Sequence, residues 1–508
     1  MRSKKIRNLL IFLGIMALST SCLRTQSGIF SFSNASPTAP NPTETLAPLA
    51  ALLPPTRVPG SPILTPTPDT PHDVPSLRLQ AAEYTVQSGD TFGNIANKYG
   101  ISMDTLATAN PDVKPDLINV DQVLEIPAPT PGATGPDFKI IPDSELVYGP
   151  ASATFDISAF VKSYKGYLNT YTEQVYNQQL DGAGVVAEVA REYSVNPRLL
   201  LAVLEFQSHW VTQANPDSAT LNYPLRFDDQ NHVGLFTQLS WAANNLNRGY
   251  YQWKANTISH YVLPDGSIVP VATTINAGTA GVQYLMSLLY NRPDWDSVVS
   301  QTGLFVTYSS FFGYPFDLAI EPLIPPDLKQ PTMQLPFVPG DVWSFTGGPH
   351  AGWGDGSAWA SLDFAPPGDS YGCVKSDAWV TAVADGLVTR SDNGIVILDL
   401  DKDGIEQTGW MVLYLHIEDR DRVAVGSMLK AGDHIGHPSC EGGEATGTHV
   451  HIARRYNGEW IPADGAVPFT MDGWVVQGNG TEYDGLLVRE GQIVEAWDNR
   501  NSENQISR

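Results

Sequence analysis

The chain has 508 residues, which suggests about two to four domains, and its 42% of hydrophobic residues can form sizeable cores. Its 30 Lys and Arg against 54 Asp and Glu give a net charge of −24, so nucleic acid and anionic membrane surfaces are poor candidates as partners. Three cysteines exclude a disulfide-rich scaffold or a Cys-rich zinc domain. No apolar run reaches the roughly 18 residues that a membrane-spanning helix needs.

The first 22 residues have the pattern of an export signal. Basic residues between Arg2 and Arg7 precede an apolar stretch from Leu9 to Leu18, which is too short to span a bilayer. Small residues then lead to Cys22. The segment resembles a bacterial lipoprotein signal, which implies that Cys22 is lipidated and anchors the chain to a membrane. The alternative is an ordinary cleaved signal. Both predict an extracytoplasmic protein in which disulfides can form.

Proline-rich segments divide the rest of the chain into three blocks. A stretch rich in Pro and Thr has no helical or strand period and predicts a stiff, disordered tether. The predicted organisation is a signal over 1–22, the tether over 23–82, a small domain over 83–128, a linker over 129–139, a helical domain over 140–325, a β domain over 326–500 and a polar tail over 501–508.

The first block predicts a βααβ order. Asp90 or Thr91 can cap the first helix, and the apolar residues that follow recur at helical spacing. The block resembles a LysM module in its V-x-x-G-D-T, its I-A-x-x-Y and its closing L-x-I-P, beginning at Val86. That resemblance implies binding to glycans that contain N-acetylglucosamine, and therefore to the bacterial cell wall. A small domain that binds a protein is the alternative.

The middle block predicts helices. Asn196 and Pro197 can start a helix that is apolar on every side and therefore buried. The block resembles the lysozyme-like fold of lytic transglycosylases in a helix ending near Ser208, followed by the segments VGLFTQLSWAANNLN and TTINAGTAGVQYLMSLLYN. We therefore expect an all-α lysozyme-like domain.

The middle block departs from that family at the catalytic position. The family's catalytic Glu aligns with Gln207, and an amide cannot protonate a leaving oxygen. Glu205 lies about 200° around the helix from Gln207 and should face away from the cleft. We therefore expect glycan binding or a structural role without catalysis. Residual activity through Glu205 is the alternative.

The last block predicts a mostly antiparallel β-sheet, because short alternating runs are separated by Gly and Asp. One predicted strand carries His449 and His451, which as residues i and i+2 share a face of the sheet. Two adjacent imidazoles suit a metal or acid–base chemistry. His416 lies in another predicted strand, while His350 and Asp363 lie upstream on either side of a loop rich in Gly, Ser and Trp.

This block resembles the lysostaphin-type zinc endopeptidases that cut the peptides of peptidoglycan. The resemblance rests on Y-L-H at His416, on V-x-x-G-x-x-L-K-A-G-x-x-I-G and on A-T-G-T-H-V-H at the end. Most members have the first His and the Asp four residues apart. Here His350 lies thirteen residues before Asp363, the long spacing of the β-lytic and staphylolytic branch.

The resemblance implies one zinc ion on His350, Asp363 and His451, with His449 as the general base. It also implies that His416 hydrogen-bonds the developing oxyanion. Three N/O ligands leave the open position that catalytic zinc keeps for water. The alternative is a metal-free fold that only binds.

Other residues of the last block have simpler interpretations. Cys373 and Cys440 flank the site loops and are a disulfide candidate, with two free thiols as the alternative. His434 and His437 are expected to be loop residues at the rim of the site. The run Asp399, Asp401, Asp403 and Gly404 begins like a calcium loop but has Trp410 where a bidentate Glu is needed, so a solvated hairpin turn is expected.

The sequence therefore predicts a modular peptidoglycan endopeptidase that is held on the wall by its LysM module. Zinc is the expected cofactor. Peptidoglycan is the expected partner, together with a membrane through the lipid anchor; nucleic acid is not. A wall-attached scaffold or hydrolase activator with an inactive peptidase-like domain is the main alternative. Glycan cleavage by the middle block is a third.

Overall fold

The structure is a computed structural model that describes residues 66–87, 89–368 and 370–508. The predicted signal with its lipidation candidate Cys22, and the tether up to residue 65, lie outside the described residues. In the described part of the chain, no helix combines the length and the apolar character needed to cross a lipid bilayer.

The last part of the predicted tether, residues 66–81, packs against the middle block. The backbone N–H groups of Asp69 and His72 donate to the carbonyls of Thr274 and Thr273 at 3.0 and 2.8 Å. The ring of His72 stacks on Trp253 with centroids 4.4 Å apart. The disordered-tether prediction is therefore wrong for this part, since contacts with another block fix backbone that composition alone leaves without a partner.

The first block has the predicted βααβ order. Thr91 and Ser102 cap its helices by accepting N–H bonds from Asn94 and Thr105. Its two strands pair antiparallel over a small apolar core that includes Leu106. Its elements are β1 (Ala82–Thr85), α1 (Phe92–Lys98), α2 (Met103–Ala109) and β2 (Val123–Ile126).

The middle block is mainly helical, but it also contains two β-hairpins. The all-α prediction is therefore wrong in detail, because two pairs of short segments, one polar and one largely apolar, form antiparallel hairpins beside the helices. The helices are α3 (Ile157–Tyr164), α4 (Gly182–Tyr193), α5 (Pro197–Ser208), α6 (Leu235–Lys254), α7 (Ala277–Ser287), α8 (Asp294–Val298) and α9 (Leu304–Phe312). The hairpins are β3 (Thr172–Val175) with β4 (Gln178–Asp181), and β5 (His260–Val262) with β6 (Ile268–Pro270).

The last block is built on an antiparallel sheet. Its strands are β7 (Val342–His350), β8 (Ser361–Ala365), β9 (Val380–Thr381), β10 (Gly386–Asp392), β11 (Ile395–Asp399), β12 (Trp410–Leu415), β13 (Met428–Leu429), β14 (His434–Gly436), β15 (Val450–Tyr456), β16 (Glu459–Trp460), β17 (Thr470–Met471), β18 (Trp474–Gln477), β19 (Leu486–Arg489), β20 (Gln492–Glu495) and β21 (Gln505–Ser507). The main sheet has the order β13-β10-β11-β12-β15-β8-β7-β21, with β16 paired to β15. Strands β17 to β20 form a separate antiparallel sheet.

The final residues, 501–508, are part of the sheet. Strand β21 pairs with β7, with Gln505 opposite Ser344 and Ile506 opposite Trp343. Ile506 is buried, and the buried amide of Asn504 donates to the backbone carbonyl of Phe345. The polar-tail prediction is wrong, because the buried side chain of Ile506 and the pairing of β21 with β7 fix this segment although most of its residues are polar.

The main sheet is buried on both faces. Along β11 and β12, alternate side chains such as Val396 and Val412 join the core of the last block. The side chains between them, including Ile397, Met411 and Leu413, join the core of the helical block. Since side chains alternate across a strand, one sheet serves two cores. The middle and last blocks therefore share a continuous apolar interior.

Candidate metal centre

Three neighbouring strands bring the predicted ligands together. Asp363 on β8 lies opposite His451 on β15, and β7 runs along the other side of β8 and ends at His350. The ladder between β7 and β8 is irregular after Gly347, where a Cβ would lie only 2.7 Å from Asp363 Oδ2. Glycine at that position therefore lets β7 pass close to the carboxylate.

The three side chains present their donor atoms to one point. His350 Nε2 lies 3.0 Å from His451 Nδ1, and each of these nitrogens lies 3.3 Å from Asp363 Oδ1. A tetrahedral zinc ion with bonds of roughly 2.0–2.1 Å requires ligand atoms about 3.3 Å apart. The spacing therefore fits zinc.

The second nitrogen of each ligand imidazole is held by a backbone carbonyl. His350 Nδ1 donates to Gly348 O at 2.8 Å, and His451 Nε2 donates to Gly352 O at 3.2 Å. In the neutral rings, the two facing nitrogens therefore carry lone pairs. Asp363 Oδ1 is buried and accepts no hydrogen bond from the described residues. With both rings neutral, three acceptor atoms therefore converge, which matches the requirements of a cation.

Electrostatics at the three residues are strongly coupled. Burial disfavours a charged ring at His350, but the Asp363 carboxylate outweighs it and raises the pKa of His350. Burial also opposes ionisation of Asp363, yet the imidazoles of His350 and His449 hold its pKa well below the usual range. Burial lowers the pKa of His451 and so favours the neutral form that binds metal.

His416 and His449 complete the group, although neither lies within a strand as expected. His416 directly follows β12 with a φ of 65°, and His449 directly precedes β15. Their ring centroids are 4.5 Å apart, and His449 Nε2 lies 3.7 Å from Asp363 Oδ1. The five predicted side chains therefore lie together, with His416 in the left-handed backbone region and His449 in an isolated β-bridge to Ser439.

The expected oxyanion role of His416 disagrees with its hydrogen bonding. Its Nδ1 lies 3.0 Å from Glu441 O, so Nδ1 carries the proton and Nε2 is an acceptor in the neutral ring. Burial lowers the pKa of His416 to about 3, with a smaller electrostatic contribution from the neighbouring His449 and His451 rings. A neutral ring with that tautomer accepts a proton and cannot donate to an oxyanion. His449 is arranged in the same way, because its Nδ1 donates to Gly447 O at 2.7 Å.

A cleft opens over the metal group. It has a volume of about 1000 Å³ and lies between the middle and last blocks. A second cavity of about 670 Å³ extends from Asp363, His449 and Tyr483 towards the C-terminal strands. Tyr483 borders both cavities and stacks on His350 at 4.2 Å between centroids. Sequence reasoning missed Tyr483, since no motif accompanies it and it lies more than a hundred residues along the chain from His350.

Cys373 and Cys440 are joined by a disulfide with an S–S distance of 2.07 Å. Gly372, beside the first cysteine, accepts the backbone N–H of Thr448 at 3.1 Å. Glu441, beside the second, holds His416 as described above. The disulfide thus joins the two loops that position His416 and His449, whereas the predicted metal ligands lie on strands.

Two minor predictions need correction. His434 lies in β14, and both His434 and His437 stack on Trp379 with centroids 4.0 Å away. Neither borders the cleft, so the rim prediction is wrong. The acidic turn is also not simply solvated, because Asp399 is fully buried and accepts backbone N–H bonds from residues 401, 402 and 404.

The middle block has no open cleft at Gln207. Its amide is 3% exposed and contacts Tyr290 Oη at 2.7 Å and Met286 Sδ at 3.8 Å. Glu205 also has a structural role: its carboxylate accepts the N–H groups of Val211 and Thr212, both at 3.1 Å. It therefore caps the loop that follows its own helix, and neither side chain is available to a glycosidic bond.

Comparison with known proteins assigns each block. Residues 84–127 match the LysM domain model, residues 139–325 match the LasA N-terminal domain model and residues 370–463 match peptidase family M23. The LysM and metallopeptidase resemblances are thereby confirmed, while the likeness to lytic transglycosylases stays a prediction. The M23 match includes His416, His449 and His451 but begins after His350 and Asp363. The proposal that these last two residues bind the metal therefore rests on the geometry of the site.

Individual relatives cover larger parts of the chain. Protease LasA of Pseudomonas aeruginosa is 25% identical over 353 residues, which are 64% of this chain and 75% of that protein. The beta-lytic metalloendopeptidase of Achromobacter lyticus is 26% identical over 160 residues, 30% of this chain and 40% of that protein. The solved structure of the M23 metalloprotease pseudoalterin has 24% identity and a TM-score of 0.29, and the match covers 35% of this chain and 99% of that one. This chain thus combines a LysM domain, a LasA N-terminal domain and an M23 peptidase domain.

Proposed function

We propose that this protein is a zinc endopeptidase that hydrolyses stem or cross-bridge peptide bonds in bacterial peptidoglycan. The observation that carries the proposal is the convergence of His350 Nε2, Asp363 Oδ1 and His451 Nδ1 beside two further imidazoles at an open cleft. Three N/O donors with a free fourth position are the donor set of catalytic zinc. The LysM domain holds the enzyme on glycan, and an exported chain lipidated at Cys22 would remain near its substrate.

The chemistry divides between the cofactor and the protein. His350, Asp363 and His451 would hold the ion, with the outer nitrogens of the two imidazoles fixed by backbone carbonyls. Zinc held there would supply polarisation of a scissile carbonyl and a more acidic water. His449 Nε2 takes the proton of the attacking water and returns it to the leaving amine. His416, which stays neutral, accepts a hydrogen bond from that water and orients it.

The proposal is tested with purified, zinc-loaded protein and defined cross-linked muropeptides, with released amines and fragment masses as the readout. His451→Ala should lose both zinc and turnover. His449→Ala should keep zinc but lose turnover by roughly 10²–10⁴-fold, the typical contribution of a general base. The control is His434→Ala, which removes an exposed imidazole outside the cleft and should leave both properties unchanged.

The outcomes separate the alternatives. Wild-type protein that binds zinc and bacterial cell walls but releases no amines would support the hypothesis of a non-catalytic scaffold or hydrolase activator. New reducing or anhydro-sugar ends without new amines would support glycan cleavage. Unchanged turnover in His449→Ala would refute the role of that residue.

A further inference from the structure

The middle block forms one wall of the cleft that faces the metal group. The loop between β3 and β4 contributes Tyr176, and the first turns of α6 contribute Phe236, Thr237 and Trp241. The last block supplies the opposite side with the imidazoles. We call these four residues the middle-domain wall. A substrate that reaches the zinc ligands from this side must pass along the wall.

The side chains of the wall suit a neutral sugar. Tyr176 is 47% exposed and meets Phe236 edge-to-face at 5.5 Å, and Trp241 has one face stacked on Phe227 at 4.0 Å. Partly exposed aromatic rings bury the apolar faces of pyranose rings. The Thr237 hydroxyl donates to Val233 O at 3.0 Å, and its oxygen can still accept a hydrogen bond from a sugar hydroxyl.

Among its described residues, the cleft offers an anionic ligand no Lys or Arg. The acidic residues that line it include Glu192, Glu444 and Glu482, whereas Asp355 is paired with Arg248. The middle-domain wall itself carries no charged side chain and therefore suits an uncharged group. The lactyl group of a wall amino sugar is neutral when a stem peptide is attached through an amide bond, and only then does it suit this surface.

The wall is fixed relative to the zinc ligands. The two blocks share a core, and the N–H of Trp460 in the last block donates to Tyr251 Oη on α6 at 2.9 Å. Ser194 Oγ, just after α4, donates to Gly458 O at 2.6 Å. The wall thus remains in place when a substrate binds, and its contacts contribute to substrate choice.

We propose that the middle-domain wall binds the amino sugar that carries the stem peptide, so that the enzyme prefers a glycan-attached peptide over the same peptide without its sugar. This inference rests on the proposed peptidase function. It adds a sugar subsite formed by the middle block to the peptide site of the last block.

The test compares two substrates of identical peptide sequence: a cross-linked disaccharide-peptide, and the same peptide after enzymatic removal of the sugar. The wild-type protein should show a kcat/KM about tenfold higher for the sugar-bearing substrate, which is the scale of one or two lost ring contacts. Phe236→Ala and Tyr176→Ala should lower kcat/KM for that substrate alone. Tyr164→Ala, an exposed aromatic of the same block outside the cleft, is the matched control.

Each outcome decides the inference. Equal cleavage of both substrates by the wild-type protein would overturn it and leave the peptidase function intact. Faster cleavage of both substrates by the two variants would also overturn it, because the wall would then be a barrier. If neither substrate is cleaved, the proposed peptidase function fails, and calorimetry then tests the sugar subsite separately. Tighter binding of the sugar-bearing substrate, lost in Phe236→Ala, would support the subsite. Equal binding of the two substrates would overturn it.

Discussion

Breaking the disulfide should disable catalysis while the metal site stays assembled. The perturbation is the double variant Cys373→Ser with Cys440→Ser. The bond links the loops that hold His416 and His449, whereas all three proposed metal ligands lie on hydrogen-bonded strands. We therefore expect zinc to stay bound and turnover to fall, since the two imidazoles lose their fixed positions.

The stability cost follows from the length of the closed loop. The cysteines are 67 residues apart, and closing a loop of that length removes unfolded-state entropy worth about 4 kcal/mol. Because native-state relaxation reduces such effects, a loss of roughly 2–4 kcal/mol in the free energy of unfolding is the expected range.

Three measurements check this reasoning: the free energy of unfolding in denaturant, the zinc content after dialysis, and turnover of a defined muropeptide. Reduction of the wild-type protein should reproduce the stability, zinc content and turnover of the double variant. A reductant should have no further effect on the variant itself. Unchanged turnover would refute the proposed role of the loops. Zinc loss in parallel with turnover would show that the disulfide supports the ligands as well.

Three further predictions test other parts of the structure. The pKa of Glu406, which is buried beside Arg390 and Arg455, falls from 4.5 to about 2 even though burial opposes ionisation. The ionised carboxylate therefore contributes roughly 3 kcal/mol to the free energy of unfolding above pH 4.5, and this contribution is lost as the pH falls towards 2. Glu406→Gln should remove this pH dependence from the measured free energy of unfolding. Glu205→Gln should leave cleavage of bacterial walls unchanged in a dye-release assay, since that carboxylate only caps a loop. A loss of activity in folded protein would instead support the hypothesis that the middle block cleaves glycan. Residues 326–508 expressed alone should aggregate or bind a hydrophobic dye, because removing the helices exposes Ile397, Met411 and Leu413; a stable monomer with unchanged melting temperature would contradict the shared core.

Local patterns predicted what depends on local structure. The Asn196 cap with Pro197, the alternation along β11 and β12, and the neighbouring imidazoles of His449 and His451 are all readable from short stretches, because helix starts and strand faces have fixed spacing. The candidate ligand set was predictable from its resemblance to a family. The tautomer of His416 was not, since it depends on the carbonyl of Glu441, which reaches it from a loop 25 residues away.

Other features depend on pairings between distant segments, which single-sequence patterns do not contain. Strand β21 looks polar until Ile506 meets the edge of β7, and residues 66–81 look unstructured until Trp253 provides a surface for His72. Tyr483 reaches the metal group only through the folding of the C-terminal sheet. In each case a long-range contact fixes a segment whose own composition predicts no structure.

The long separation between His350 and Asp363 has a structural explanation in the contact between the blocks. The loop between these ligands docks on α6: the N–H of Gly356 donates to Asn244 Oδ1 at 2.9 Å, and a Cβ on Gly356 would lie 1.9 Å from Asn244 O. Asp355 in the same loop pairs with Arg248. A four-residue spacing supplies at most about 14 Å of extended chain, whereas the thirteen-residue spacing supplies the extra length that contacts α6 and returns to β8. The same loop that separates two proposed metal ligands thus joins the peptidase sheet to the helix that carries most of the middle-domain wall.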